Sequence, residues 1–138
     1  MPSTDVNYLA VLVAAAATFA LGALWYSPLL FARAWTQAHG YTPEKVAAMQ
    51  KSAGRAYAVS FACYVVMAFV LALLVSYTGA TTAVQGLWLG FLAWLGFAAT
   101  IGLTANMFSD KPLATYVIDA GYQLAHLLVM GVILAVWR

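Results

Sequence analysis

The chain has 138 residues, of which 65% are hydrophobic and 7% are charged, and its formal net charge is +2. Soluble domains carry about 25% charged residues, so this composition excludes an ordinary soluble domain. The small net charge also provides no basic surface for nucleic acid. The composition therefore predicts an all-α membrane protein.

Four apolar segments are each long enough to cross a hydrocarbon core of about 30 Å, which takes about 20 helical residues. They run from about residue 8 to 29, 56 to 76, 83 to 106 and 113 to 137. We expect them to form one four-helix bundle, a single transmembrane domain over residues 1–138. Little sequence remains for a soluble domain, so any function has to be built from these helices and the first loop.

The first helix ends on the motif Trp25-Tyr26-Ser27-Pro28, and Trp35 follows seven positions later. Pro28 has no backbone N–H and disfavours helix at Ser27, so it ends or bends the helix. Ser27 can cap the turn that follows. Because Trp and Tyr are enriched at membrane interfaces, we interpret Trp25, Tyr26 and Trp35 as interfacial anchors. The alternative is that they line the mouth of a cavity.

The first loop contains the signals of a short interfacial helix. Thr42 is a good N-cap, Pro43 suits the first helical position and Glu44 places an acid in the first turn. These residues predict a helix from Pro43 to about Ala53. His39, which lies in the same loop, is interpreted as a solvated histidine.

Basic residues are concentrated on one side of the predicted bundle. Lys111 occupies the third loop, and Arg138 alone lies on the opposite side. Since Lys and Arg in short loops stay in the cytoplasm, we expect the first and third loops to be cytoplasmic and both termini to be outside. The cations of the first loop are Arg33, Lys45, Lys51 and Arg55.

The third helix contains the spacing Gly86-x-x-x-Gly90. Glycines four residues apart let another helix approach the backbone closely. Both a homo-oligomer interface and tight internal packing can use this pattern, and the sequence leaves the two alternatives open.

The stretch IDAGYQLAH, from Ile118 to His126, brings polar groups into the fourth helix. At about 100° per residue, Asp119, Gln123 and His126 fall on one face. We expect every helix to point its polar side chains inward, and those side chains occupy the half nearest the charged loops. The pattern predicts a polar cavity that opens toward the loop side. The other inward residues are Thr18 and Trp25 on the first helix, Tyr57, Ser60 and Tyr64 on the second, Thr100 and Thr104 on the third, and Tyr116 and Tyr122 on the fourth.

An acid inside a membrane helix points to function, because the ionised form costs about 2.5–3.5 kcal/mol to insert. Asp119 and His126 lie about 10 Å apart along the helix, and Gln123 lies between them. Such a row can relay protons or bind a polar head group. We therefore expect the cavity to bind or pass a small polar or protonatable ligand. The candidate residues are Asp119, Gln123, His126, Tyr122, Tyr116, Tyr64 and Ser60.

The alternative is a structural or accessory membrane protein, a homo-oligomer or a subunit, whose polar residues only hold helices together. Hydrogen bonds between membrane helices are common and contribute about 0.6 kcal/mol on average. The expected partners are membrane lipids and further copies of the chain, with no nucleic acid, and the solute cannot be read from the sequence.

Enzyme chemistry is not expected. Asp119 has no second acid inside a helix, as aspartyl proteolysis requires, and Ser60 with His126 lacks an oxyanion site. A metal or haem site needs more ligands than Asp119, His126 and His39 can supply. We expect no catalytic residue, no metal and no cofactor.

Three stretches of the chain carry a family resemblance. They are GALWYSPLLFARAW from Gly22 to Trp35, AGY from Ala120 to Tyr122, and MGVILAVW from Met130 to Trp137. The chain resembles the bacterial membrane proteins grouped as domain of unknown function 1761. In that family a glycine usually precedes the basic residue of the first stretch, whereas here Ala32 precedes Arg33. The resemblance implies a small four-helix protein of the bacterial inner membrane and implies no activity.

Overall fold

The computed structural model describes residues 5–138, and within that range it contains helices and no strand. Residues 1–4 of the predicted domain lie outside the described residues. The all-α fold class predicted from the sequence is confirmed. The elements in chain order are α1 (Tyr8–Trp25), α2 (Ala32–His39), α3 (Pro43–Lys51), α4 (Ala53–Thr78), α5 (Ala83–Ala93), a π-helical turn (Trp94–Ala98), α6 (Ala99–Phe108) and α7 (Leu113–Val136).

Four helical stretches are long and apolar enough to cross a membrane: α1, α4, the continuous run Ala83–Phe108 and α7. The shortest, α1, has 18 residues and is therefore about 27 Å long. These helices pack against one another as the predicted four-helix bundle. The first helix ends at Trp25, earlier than expected, because the chain turns before Pro28.

The first loop folds into two short helices. The predicted helix is present as α3, and the Thr42 hydroxyl accepts the backbone N–H of Lys45 at 3.2 Å, as an N-cap does. The amphipathic segment before it forms α2, which ends where Gly40 adopts the left-handed conformation at φ 70°. Helix α2 packs against α7, so it lies over the loop-side end of the bundle.

The half of the bundle far from the charged loops is closely packed with small and aliphatic side chains from three helices. Met130 of α7 is fully buried at its centre. Because the buried members of this cluster are small or aliphatic, the helices pack closely around them. Its buried members are Ala10, Val11 and Ala14 of α1, Ala68, Leu71, Ala72 and Val75 of α4, Ala80, and Met130, Leu134 and Ala135 of α7.

Helices α5 and α7 are in backbone contact through glycines. A Cβ atom on Gly86 would overlap the carbonyl group of Gly131, and one on Gly131 would overlap that of Gly86. Likewise, a Cβ atom on Gly90 would overlap the carbonyl group of Leu127. The Gly-x-x-x-Gly pattern is thus used for internal packing, the second of the two alternatives.

The expectation that Thr100 and Thr104 point inward is wrong. Both residues are exposed, and their hydroxyl groups donate to the carbonyl oxygens of Gly96 and Thr100 in their own helix, at 2.9 and 3.0 Å. The π-helical turn explains the difference, since the N–H of Ala99 bonds to the carbonyl oxygen of Trp94 five residues back. The extra residue in this turn rotates α6 away from the face that uninterrupted α-helical periodicity predicts.

Candidate functional site

The carboxylate of Asp119 has a direct partner in the chain segment that follows α1. Within the described spans Asp119 is the only acid. Its Oδ1 accepts the hydroxyl hydrogen of Tyr26 at 2.5 Å, the length of a charge-assisted hydrogen bond. Interpreting Tyr26 as an interfacial anchor misses this contact. The two residues lie 93 positions apart, so no local pattern pairs them.

Two indoles bind the backbone of α7 on either side of Asp119. The Nε1–H of Trp25 donates to the carbonyl oxygen of Ile118 at 3.1 Å, and that of Trp94 donates to Ala120 at 2.9 Å. Gly121 makes room for the first indole, because a Cβ atom there would lie 3.1 Å from the Trp25 ring. The backbone that carries Asp119 is therefore held from two neighbouring helices.

A cleft of about 490 Å³ lies between α1 and α4 in the loop-side half, and we call it the tyrosine cleft. The buried Tyr122 lies against it and donates its hydroxyl hydrogen to the carbonyl oxygen of Thr18 at 2.8 Å. The Tyr122 ring centre lies 5.5 Å from that of Tyr26 and 6.5 Å from that of Tyr64. The residues that line the cleft are Phe19, Gly22, Ala23, Tyr26, Tyr57, Ser60, Tyr64 and Tyr122.

Aromatic side chains occupy the space between α1 and α4 in this half. The Phe19 ring meets Tyr57 and Phe61 edge to face, with ring centres 5.9 and 6.0 Å apart. Gly22 leaves space for Tyr122, since a Cβ atom there would lie 2.7 Å from the Tyr122 hydroxyl oxygen. Rings of this size cannot interlock as the alanines of the far half do, so a cleft remains.

A second, smaller space of about 170 Å³ lies between α2, α6 and α7, and we call it the polar pocket. Asp119, Gln123 and Tyr116 line it, and the Tyr116 hydroxyl donates to the carbonyl oxygen of Ala99 at 2.8 Å. The sequence predicts one cavity, whereas the structure has two spaces. Tyr26 lines the tyrosine cleft, Asp119 lines the polar pocket, and the hydrogen bond between them lies where the two spaces are adjacent. The lining residues of the polar pocket are His39, Gly102, Ala105, Asn106, Ser109, Lys111, Thr115, Tyr116, Asp119, Ala120 and Gln123.

His126 is separate from the polar pocket. It is 2% exposed, and its ring centre lies 4.9 Å from that of Tyr122 and 5.7 Å from that of Tyr64. Its Nδ1 has no hydrogen-bond partner. Among the hydrogen bonds of residues 5–138 none joins Gln123 to Asp119 or His126, so the three residues do not form a bonded row.

The prediction that His39 is a solvated histidine holds only in part, because its side chain is half-buried on the site. Its ring stacks on Tyr41 and contacts Trp35, with centres 4.8 and 4.3 Å away, and its Nε2 is buried without a partner. Burial lowers the pKa of His39, the charge of Asp119 opposes this shift, and Lys111 adds to it. His39 is therefore neutral around pH 7. The sequence signal that indicates this contact is the spacing of Trp35 and His39, which lie four residues apart and therefore share one face of α2.

The described part of the chain offers no metal centre. Within residues 5–138 no three His, Cys, Asp or Glu side chains are placed to hold an ion. The single cysteine, Cys63, is exposed on α4. The phenol, indole and carboxyl groups of the site can form hydrogen bonds, transfer protons and attract cations to aromatic rings.

The family model described as "Protein of unknown function (DUF1761)" matches residues 9–135. The chain belongs to this family. Among curated proteins and among solved structures, none matches it. Two of the stretches that carry the DUF1761 resemblance contact each other, because the ring centres of Trp25 and Tyr26 lie 6.3 and 5.5 Å from that of Tyr122. Next to the second stretch, Asp119 accepts the hydroxyl hydrogen of Tyr26. The motif and the acid thus belong to one place in the fold.

Proposed function

We propose that this DUF1761 protein binds a small organic cation in the tyrosine cleft, as an integral membrane binding protein or carrier. The observation that carries the proposal is the position of Asp119. The only acid of the described spans is bonded to Tyr26, which is also a wall of a cleft bordered by four tyrosine rings.

The chemistry of the walls favours a cation with an apolar body. Aromatic faces attract ammonium groups by about 0.5–2 kcal/mol per ring, more when water is excluded. The negative charge of Asp119 adds to this attraction through Tyr26. A volume of about 490 Å³ lies within the range of small-molecule sites, about 300–1,000 Å³.

Access from the charged-loop side is available through a neighbouring cleft. A space of about 480 Å³ between α2, α3 and the start of α4 shares Tyr26 and Tyr57 with the tyrosine cleft. The excess of basic residues in the first loop supports a cytoplasmic position for this mouth. A ligand from that side reaches Tyr122 without crossing the closely packed far half.

The test compares a cation with its uncharged isostere. Benzyltrimethylammonium and neopentylbenzene have nearly the same shape and differ in charge. We expect purified protein in dodecylmaltoside to bind the cation saturably in equilibrium dialysis, with little competition from neopentylbenzene. Tyr64→Leu should weaken binding roughly 2- to 30-fold, the equivalent of one cation–π contact.

The matched control lies on the same helix. Tyr77 is an exposed tyrosine at the far end of α4, and Tyr77→Leu should leave the affinity for benzyltrimethylammonium unchanged. Equal competition by the neutral compound, or equal losses in the two variants, would show that the probe only partitions into apolar surface.

A structural role is the second candidate, favoured by the hydrogen bonds that Trp25, Trp94, Tyr116 and Tyr122 donate to carbonyl groups across the bundle. The melting temperature of the Asp119→Asn variant in detergent distinguishes the binding role from the structural role. Asn keeps the size and an acceptor oxygen, so a residue kept for binding leaves the melting temperature equal or higher. A lower melting temperature, with a change in oligomeric size, supports the structural role instead.

A further inference from the structure

The polar pocket has the composition of a place that holds water between two titratable groups. His39 of α2 and Asp119 of α7 both line it, with amide and hydroxyl groups around them. A volume of about 170 Å³ accommodates a few water molecules of about 30 Å³ each. This pocket is distinct from the tyrosine cleft, where we place the organic cation.

We propose that the polar pocket is a proton site, in which Asp119 takes up and releases the proton and His39 admits it from the loop side. The proposal goes beyond cation binding and does not depend on it. It rests on the position of α2, which brings the His39 side chain to the wall of the pocket that contains the carboxylate.

Titratable groups approach Asp119 from several elements. Imidazole is the side chain among them whose ordinary titration falls between pH 5 and 8. His39 is thus the one suited to pass protons between the solution and the pocket, as a transient carrier that returns to its neutral form because its pKa is lowered. The groups are Tyr26 after α1, His39 of α2, Lys111 before α7 and Tyr116 on α7 itself, while Tyr64 and Tyr122 interact with Tyr26.

The proton transfer balances in charge and atoms. The His39 imidazolium gives one ring N–H proton to pocket water, which passes a proton to the carboxylate of Asp119. Imidazolium becomes neutral imidazole, and the carboxylate becomes a neutral carboxylic acid. The lowered pKa of His39 helps, since its imidazolium gives up the proton readily.

Protonation also changes what Tyr26 can do. An ionised Asp119 is only an acceptor, so the Tyr26 hydroxyl has to donate to it. A protonated Asp119 has its own O–H and can donate to the Tyr26 oxygen. The phenol hydrogen is then free to turn toward the tyrosine cleft, which links the two spaces.

Infrared difference spectroscopy between acidic and alkaline pH tests the proton acceptor without any ligand. We expect a protonated-carboxyl band that titrates in the parent, disappears in Asp119→Asn, shifts in frequency in Asp119→Glu and persists in Asp110→Asn, the control in the third loop. A band that survives unchanged in both Asp119 variants overturns the proposal. Since no organic cation is present, the result is independent of the proposed function.

A pH jump tests the part played by His39. His39→Gln should slow protonation of the carboxyl on the order of 10²-fold, the lower range for a positioned acid–base group, with the final band amplitude unchanged. Gln37→Leu, an exposed position on the same helix, should leave the rate as in the parent. A parent-like rate in His39→Gln contradicts the role of His39, and a smaller final amplitude indicates a structural role.

Discussion

The two halves of helix α7 are packed in opposite ways. Around Met130 the helix meets its neighbours through glycine backbones and small side chains. Around Asp119 it meets them through indole and phenol groups that bond to its carbonyl oxygens and its carboxylate. Close backbone contact leaves no room for a ligand, whereas aromatic rings with polar ends hold helices together and leave space.

The difference has an energetic reason. In a bilayer, lipid tails are as apolar as the side chains, so helices associate through close packing and hydrogen bonds. Glycine contacts maximise dispersion over many atom pairs, while each interhelical hydrogen bond contributes only about 0.6 kcal/mol on average. We therefore expect the far half to supply most of the stability and the loop-side half to tolerate change.

The largest effect should come from separating the glycine backbones. Gly131→Val places a side chain against the carbonyl group of Gly86 and should lower the free energy of unfolding by about 3 kcal/mol or more. The measurement is reversible unfolding in mixed detergent. Gly96→Ala is the control, because a Cβ atom there meets nothing within 4 Å, and the alanine should stabilise by about 0.5–1 kcal/mol. Equal stability of the two variants would show that the glycine contact between α5 and α7 does not supply the stability of the far half.

The next effect concerns the loop-side half alone. If the proton on Asp119 opposes the organic cation, lowering the pH weakens binding of benzyltrimethylammonium by up to about tenfold per pH unit, the slope for one coupled proton. Binding is then strongest where Asp119 is ionised and is lost as the pH falls. Dialysis over a pH series measures this, and Asp119→Asn should flatten the curve. A parent-like slope in that variant would assign the proton to another group.

The smallest effect compares an inward and an outward threonine. The buried Thr115 hydroxyl lies 2.8 Å from the carbonyl oxygen of Pro112 and 3.2 Å from Oδ1 of Asn106 on α6, whereas Thr100 is exposed and bonds only to its own helix. Thr115→Val should cost about 0.6 kcal/mol and at most about 1.7 kcal/mol. Thr100→Val should stay within about 0.5 kcal/mol of the parent. Equal losses in the free energy of unfolding would mean that the exposed face with Thr100 also contributes to packing.

Local signals predict the helices of this chain well. Apolar length identifies the four spans, and the sequence Thr42-Pro43-Glu44 identifies α3, because these properties depend on neighbouring residues alone. The Gly86-x-x-x-Gly90 spacing likewise indicates a close approach. The spacing does not identify α7 as the helix that approaches, because that depends on how the helices assemble.

The candidate site depends on contacts that sequence periodicity does not contain. Asp119 is recognisable in the sequence because an acid inside a membrane helix is costly. Its partner Tyr26 is not recognisable, because the two residues lie 93 positions apart. The outward position of Thr100 follows from a π-helical turn that leaves no simple signature in composition. His39 looked solvated because the docking of α2 on α7 is a tertiary event.

The backbone contact between Gly86 and Gly131 also has a mechanical consequence. It makes α5 and α7 a rigid frame, to which α1 is fastened through the bonds of Trp25 and Tyr26. Helix α4 faces the tyrosine cleft with the rings of Tyr57 and Tyr64. We therefore expect any widening of the cleft to come from a tilt of α4 about the alanine-rich contact at the opposite end of the bundle.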